Sequence, residues 1–410
     1  MKVCFCSTFL ESESEVITNS KIKPSVATHK FNLNILEGLR VNIGENLTIF
    51  NTENIASYPN YNKIIRKKNN SEKKEIGKYI NIGKINLPVL KNISETINLY
   101  RQLDNWMSEQ SEKEIFVCGY GRHFSHVVAI NILKKKYKHI KTCMILADLG
   151  GNALSIKEKT NATKQKIFGK LIEFQVNESK KFDSFVLLTE AMSSYLNVAH
   201  KPYTVIEGIC SNEFDKPQVR EKNEKREKII AYSGVLSEQY GVDILLDAFQ
   251  KIEDKKYKLW LFGDGELKQQ ISKLTIENPN IEFFGYIPNK ELRNKMSEAT
   301  VLVNPRQNLE EFTKYSFPSK IIEYLTMAKP VIGYQLDGVP LDYKQHIFYV
   351  DDNSSDSLKN KIIEVCEYSE TKRLDIGEKN LNFVITNKGS VLQTRKIVSM
   401  FKEMGERSDV

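Results

Sequence analysis

The chain has 410 residues, 40% of them hydrophobic and 27% charged, with a formal net charge of +8 at neutral pH. That length suffices for two ordinary domains, each with its own core, and the composition excludes disorder. No apolar run approaches the roughly 18 residues that a membrane-spanning helix needs.

The opening "MKVCFCSTFL" is too short, and meets acidic residues too soon, for a secretory signal; it reads as a first buried strand with Cys4 and Cys6 on one face. The cysteines Cys4, Cys6, Cys118, Cys143, Cys210 and Cys366 show no CxxC spacing, so they read as reduced, structural thiols of a cytoplasmic protein. Strands are expected at Val3–Phe5, Leu47–Phe50, Ile115–Cys118, Thr142–Ala147, Ser184–Leu188 and Tyr203–Ile206, with amphipathic helices such as His29–Leu39 and Val127–Lys135 between them. Such alternation, with nearly continuous apolar strands, implies parallel sheets covered on both faces.

Charge is unevenly placed. Between Tyr61 and Ile80, the cations Lys63, Arg66, Lys67, Lys68, Lys73, Lys74 and Lys78 face only Glu72 and Glu75; Lys134, Lys135, Lys136, Lys138 and Lys141 form a second cluster. Two readings stand: a solvated surface, or attraction to anionic lipid headgroups or a phosphate-bearing acceptor, at about 1 kcal/mol per lysine near a membrane. No nucleic-acid partner is expected, because no binding motif accompanies the charge.

Composition shifts at "KPQVREKNEKREK", Lys216 to Lys228, which reads as a linker. The pattern then restarts: "IIAYSG" as a strand, Val242–Lys251 as a helix, "KLWLFGDG" as strand and turn, a helix near Glu266–Leu274, "IEFFGYI", a helix over Lys290–Ala299, "TVLVNP", and finally "PVIGY". Val391–Met404 is a closing helix. The expected organisation is residues 1–215 as one doubly wound domain, 216–228 as linker, 229–385 as a second, and 386–410 as the closing segment. Open α/β sheets bind ligands at the carboxyl ends of their strands, so two such domains facing each other would enclose a cleft.

The stretch "FTKYSFPSKIIEYLTMAKPVIGY", Phe312 to Tyr334, carries the most chemistry. Pro318 suits the first position of a helix, with Ile321, Ile322, Leu325 and Ala328 as its buried stripe. Lys320 and Glu323, three apart, project from one side of the first turns. A helix entrance and a lysine favour phosphate, and a glutamate one turn on can accept the two hydroxyls of a ribose. Arg306, after "VLVNP", would grip phosphate as a bidentate fork. The plainer reading of Lys320 and Glu323 is a local ion pair, and spacing alone leaves the two readings level.

In order and spacing, "AYSGVLSEQYGVDILLDAF", "LWLFGDGE", "IEFFGYIPNKEL", "ATVLVNPR" and "SFPSKIIEYLTMAKPVIGY" resemble the donor-binding domain of the retaining GT-B glycosyltransferases of family four. The resemblance runs from about Ile229 to Asp352 and is nearest a bacterial branch with an NPR…FPSK…EY signature that builds capsules, cell-wall polymers, O-antigens or protein-linked glycans. It implies donor contacts from Gly234, Tyr286, Ile287, Arg306, Tyr315, Ser316, Ser319, Lys320 and Glu323, with Glu323 on the ribose and Tyr286 and Ile287 beside the base. Where that family carries an Arg and a Lys in its first motif, this chain has Val235 and Tyr240, and Arg306 and Lys320 would replace them. Tyr315 stands where the first of two paired glutamates would touch the sugar, leaving Glu310 or Glu311 to substitute. The first half is less alike: Glu207 holds a usual Asn position, Ala147-Asp148 replaces a His-Asp pair, and Ser7 and Thr8 are the only small polar groups where a glycine-rich loop is usual.

The resemblance implies a cytoplasmic enzyme, placed at the inner membrane face if the lysines serve lipid, that moves a sugar from a nucleoside diphosphate, UDP before GDP, to a glycan or lipid-linked acceptor. No metal and no other cofactor is implied. Asp148, His123, Arg306 and Lys320 are the expected catalytic set, with His126 as a second histidine that could enter the cleft. The alternative is a non-catalytic GT-B subunit serving an active partner, in a homo- or hetero-oligomer. A nicotinamide enzyme is not expected, since "GYGRHF" at Gly119 has Phe124 at the third glycine position.

Overall fold

The computed structural model describes residues 1–21, 26–149, 162–212, 227–309 and 311–406. The chain divides into two compact units, Met1–Ser211 with Gly389–Val410, and Asn212–Lys388. The sequence-based boundaries at 215 and 385 therefore differ from this division by a few residues, and residues 216–226 of the charged linker lie outside the described part.

In the first unit, the strands are β1 (Lys2–Ser7), β2 (Leu47–Asn51), β3 (Ile65–Arg66), β4 (Asn69–Lys73), β5 (Gly77–Asn81), β6 (Lys84–Ile85), β7 (Ile115–Tyr120), β8 (Lys141–Leu146), β9 (Ser184–Leu187) and β10 (Tyr203–Val205). Eight form one sheet, ordered β10-β9-β8-β7-β1-β2-β5-β4, and β3 pairs with β6 as a separate ribbon. The main sheet is parallel except for the β4–β5 hairpin. Helices α1 (Glu13–Asn19), α2 (Val26–Ile43), α3 (Leu90–Ser108), α4 (Phe124–Lys136), α5 (Ala162–Ser179) and α6 (Ala191–Tyr195) connect them. Strand alternation sends Val3 and Phe5 into one core with Ile35 and Leu39 of α2. Cys4 and Cys6 face the other way, buried, and burial pushes the Cys4 thiol well above its ordinary value.

The second unit holds β11 (Lys228–Val235), α7 (Val242–Gln250), β12 (Tyr257–Asp264), α8 (Lys268–Glu277), β13 (Ile281–Gly285), α9 (Asn289–Met296), β14 (Val301–Asn304), α10 (Lys320–Leu325), β15 (Val331–Gly333), β16 (Phe348–Tyr349), α11 (Ser355–Cys366) and α12 (Glu370–Lys388). Its sheet is ordered β13-β12-β11-β14-β15-β16 and is parallel throughout. The chain then returns to the first unit as α13 (Ser390–Glu406), where Ile397, Met400 and Phe401 join the core around Val3 and Phe5 and the Phe401 ring stacks on Phe116 at 4.2 Å.

Each strand expected in the first half is present to within two residues. One expectation fails at the helix entrance: Pro318 precedes the helix, and α10 begins at Lys320, capped by Ser319. The Ile321 amide reaches only three residues back, to the Pro318 carbonyl, so the entrance is a tight turn before a six-residue helix. Ala328, expected on the helical stripe, lies past its end with φ at 54°. Among the described residues no helix is long and apolar enough to cross a membrane.

Candidate functional site

A sheet whose strands run 3-2-1-4-5-6 winds outward in both directions from its first and fourth strands, opening a crevice at their carboxyl ends. In the second unit these are β11 and β14. Their pairing ends at Ile230–Val301 and Ala231–Leu302, while β11 continues against β12 as far as Val235. Beyond that point the Ser233 backbone meets no β14 partner; its N–H donates to the Tyr324 hydroxyl at 2.9 Å, and that hydroxyl donates to the Ser233 carbonyl at 3.2 Å. Tyr324, fully buried on α10, thus stands in for the missing strand and fixes the helix to the open edge.

Glycine makes the crevice walls fit. Gly241 enters α7 with φ at 73°, and a Cβ there would lie 2.1 Å from the Pro305 carbonyl oxygen. Gly263, with φ at 128°, would place a Cβ 1.8 Å from the Gly234 carbonyl oxygen. The loops after β11, β12 and β14 therefore lie backbone against backbone.

Arg306 sits between two of these loops, only 5% exposed. Its guanidinium donates to the Ser316 hydroxyl at 2.9 Å and lies 5.7 Å from the centre of the Tyr240 ring. The tyrosine found at a lysine position of the resembled family is thus the aromatic face under this arginine. Lys320 and Glu323 form an ion pair at 2.7 Å, each about a third exposed. Burial lowers the Lys320 pKa, and the Glu323 carboxylate more than offsets it, leaving the ammonium above its ordinary range. Ser319 is exposed and its side chain makes no cap bond. Tyr315 ends the short 3-10 helix Glu311–Tyr315, half-buried. Glu310 lies outside the described residues. The Tyr232 hydroxyl packs beneath Gly234 and donates to the Val235 carbonyl at 2.8 Å, while Val235 itself is exposed. Tyr286 and Ile287 follow β13 at the sheet edge, two strands from β11, or about 10 Å along the row of carboxyl ends.

The first unit has its own divergence, between β1 and β7. His123 caps α4 just past β7, and Asp148 follows β8 on the adjacent strand end. Burial pulls the His123 ring below its ordinary pKa, against the opposing charges of Glu95 and Asp148. His126 is wholly buried, and burial pulls it down to about 3. A neutral ring must place its proton on Nδ1 to reach the Tyr120 carbonyl at 3.0 Å, so Nε2 accepts from the Thr52 hydroxyl at 3.0 Å. His126 is therefore a structural tie, not a group entering a cleft. Ser7 and Thr8 are likewise engaged: Asn32 accepts from the Ser7 hydroxyl and donates to Thr8. Glu207 is buried.

Beneath this rim lies a buried ion pair. Lys84 donates to Glu95 at 2.5 Å and to the Glu53 carbonyl at 2.6 Å, and Glu95 accepts from Ser125 at 2.7 Å. Lys91, nearby in charge, has its pKa lowered to about 8 by burial and by repulsion from Lys84.

Residues 214–382 match the family model of the glycosyl transferases, group 1. No curated protein matches the chain's sequence. Among solved structures, the sucrose-phosphate synthase of Thermosynechococcus elongatus is similar at 13% identity, with a TM-score of 0.65 over 99% of this chain and 100% of that one. The E. coli trehalose-6-phosphate synthase with bound UDP-2-fluoro glucose gives 10%, 0.66, 98% and 99% in the same order. HepE of Anabaena in complex with UDP gives 15%, 0.60, 98% and 100%. The chain has the GT-B fold, and its residues 214–382 carry a group 1 glycosyl transferase domain.

In the second unit Arg306 bonds Ser316, Lys320 and Glu323 pair on α10, Tyr324 ties that helix to β11 next to Gly234, and Tyr286 and Ile287 follow the edge strand β13. Sequence reasoning missed Tyr324, which spacing does not separate from an ordinary core aromatic. Tyr324→Phe removes one partner from each of two buried backbone groups, and the expected loss is about 2 kcal/mol. The check is the urea midpoint of the second unit; an unchanged midpoint would mean the Ser233 backbone finds other partners.

Proposed function

We propose that this glycosyltransferase belongs to the retaining family-four type with the NPR…FPSK…EY signature, and that it moves a sugar from a nucleoside diphosphate, UDP in the first instance, to a hydroxyl of a growing bacterial glycan. The observation that carries the reading is Arg306: buried, aromatic-backed and held at the point where β11 and β14 part. The bond from the anomeric carbon to the diphosphate breaks as one to the acceptor oxygen forms, and negative charge grows on the departing phosphate. A preorganised guanidinium there stabilises the charge without reorganising. Lys320 adds a second cation, so a metal ion is not required for charge balance. Glu323 would exchange its bond to Lys320 for the ribose hydroxyls, with the Gly234 backbone, Tyr315, Ser316 and Ser319 along the donor and Tyr286 and Ile287 beside the base. HepE is described with UDP and with UDP-glucose, which supports UDP as the nucleotide.

Asp148 and His123 are assigned to the acceptor side, with His123 neutral near pH 7 and able to take a proton. The acceptor is proposed to be lipid-linked, which places the enzyme at the inner face of a membrane. The test is release of nucleotide from a panel of UDP- and GDP-sugars by the purified chain. Turnover of a UDP-sugar is the expected result; no release from any donor would instead favour a subunit that serves an active partner.

A further inference from the structure

The β3–β6 ribbon is charged on its inner face and apolar on its outer one. Arg66 and Lys84 turn inward, to Glu53 and Glu95. Ile65 and Ile85, directly opposite each other in register, turn outward and are 65% and 43% exposed. This reverses the ordinary order of burial.

Helix α3 continues the same face. Its buried side carries Leu99, Leu103 and Met107. On the opposite side Leu90, Ile93 and Ile97 recur at helical spacing, each more than two-fifths exposed, with Arg101 one turn further on. The helix is thus apolar on two opposite sides, and only one of them is covered within the first unit. Ribbon and helix meet: Ser94 accepts from the Ile85 amide at 3.0 Å, and Ile65, Ile85 and Ile97 line one groove of about 670 Å³. Val89, exposed at the start of α3, is held with φ at 66°, a strained conformation for a β-branched residue.

The groove's rim is cationic. Lys67, Lys68 and Arg101 line it, and no carboxylate among the described residues pairs with them. In the second lysine cluster two of the five, Lys134 and Lys136, are paired with Asp183 and Asp104. An apolar stripe bordered by unneutralised cations matches the edge of an anionic bilayer, where aliphatic groups enter the headgroup layer and lysines meet phosphates.

We infer that the outer face of α3 and the β3–β6 ribbon docks this protein on an anionic lipid surface. The inference rests on the proposed lipid-linked acceptor for its purpose and supplies the contact face. The test is co-sedimentation with vesicles of phosphatidylcholine, with and without phosphatidylglycerol. The wild type is expected to bind the anionic vesicles and to release as salt rises. Lys67→Ala/Lys68→Ala should weaken binding about 25-fold, at about fivefold per lysine, and Ile93→Glu/Ile97→Glu should abolish it. All four positions are exposed, so unchanged melting curves are expected and would exclude unfolding. Nucleotide release in solution should be unaffected by either variant, which separates failure of docking from failure of the enzymatic reading. Equal binding to neutral vesicles, or variants that bind like the wild type, would overturn the inference. So would a wild-type dimer that ignores vesicles and dissociates on Ile93→Glu/Ile97→Glu, which would assign the face to a second copy.

Discussion

Lys84→Met is expected to cost the first unit about 3–5 kcal/mol, because it strands a carboxylate that cannot reach water. Lys84 and Glu95 are both buried, and the ammonium also ties down the Thr52 and Glu53 carbonyls. Methionine keeps most of the volume, so the loss reports charge rather than packing. Burial raises the Glu95 pKa, but Lys84 and Ser125 outweigh it and hold the carboxyl below its ordinary range. A depressed carboxyl pKa stabilises the fold above its unfolded value of about 4.3, and that contribution is lost as pH falls through the folded value. In the variant the sign reverses, since an uncompensated buried Glu95 favours its protonated form. The gap between wild type and variant should therefore be widest near pH 7 and narrow below about pH 4. Urea midpoints across that range, fitted to the first unit's own transition, are the check. Adding Glu95→Gln should return about 2 kcal/mol, because the amide can still accept from Ser125 without a buried charge. A loss under about 1 kcal/mol for Lys84→Met would show that water reaches Glu95 and that the pair does not hold the rim.

That pair was not legible in the sequence. A lone lysine and a lone glutamate eleven positions apart look like two surface charges until β6 and α3 are packed together. The same holds for α3, whose two apolar sides blur the single-face periodicity that marks a helix against one core. The polar β4–β5 hairpin, within "NNSEKKEIGKYIN", reads as a charge run for the same reason: little of it is apolar. Apolar parallel strands were legible because both their faces are buried, so each shows as a short continuous hydrophobic run. On the site, Arg306 was visible because a strand-end loop carries it, and the Lys320–Glu323 spacing because both lie in the first turn of one helix. What could not be read was their support: Tyr240 under the guanidinium and Tyr324 across the open strand edge come together only through topology. The thiols, by contrast, followed from their apolar neighbours, and all six are buried.

Arg306→Ala is expected to lower kcat/KM about 10²–10³-fold, the usual cost of one preorganised charge at a developing anion. The effect should fall mainly on kcat, because the guanidinium is fixed before the phosphate departs and gains most as charge accumulates. Arg306→Lys should recover little: a lysine keeps the charge but loses the planar fork that bonds Ser316 and rests on Tyr240. Lys320→Ala should be milder, about tenfold in UDP affinity, since Lys320 is already half-neutralised by Glu323 and its removal leaves that carboxylate facing the phosphates. Calorimetry with uridine, UMP and UDP separates phosphate contact from general damage. For both variants the loss should grow from uridine to UDP, because each cation is proposed to act on the diphosphate and not on the base. A uniform loss across the three ligands would point to a distorted crevice, and no loss for UDP would remove Arg306 and Lys320 from the donor site. Melting curves decide between these for Arg306, whose burial makes some destabilisation certain: a variant that is less stable yet binds uridine normally and UDP weakly has lost its phosphate grip, not its fold.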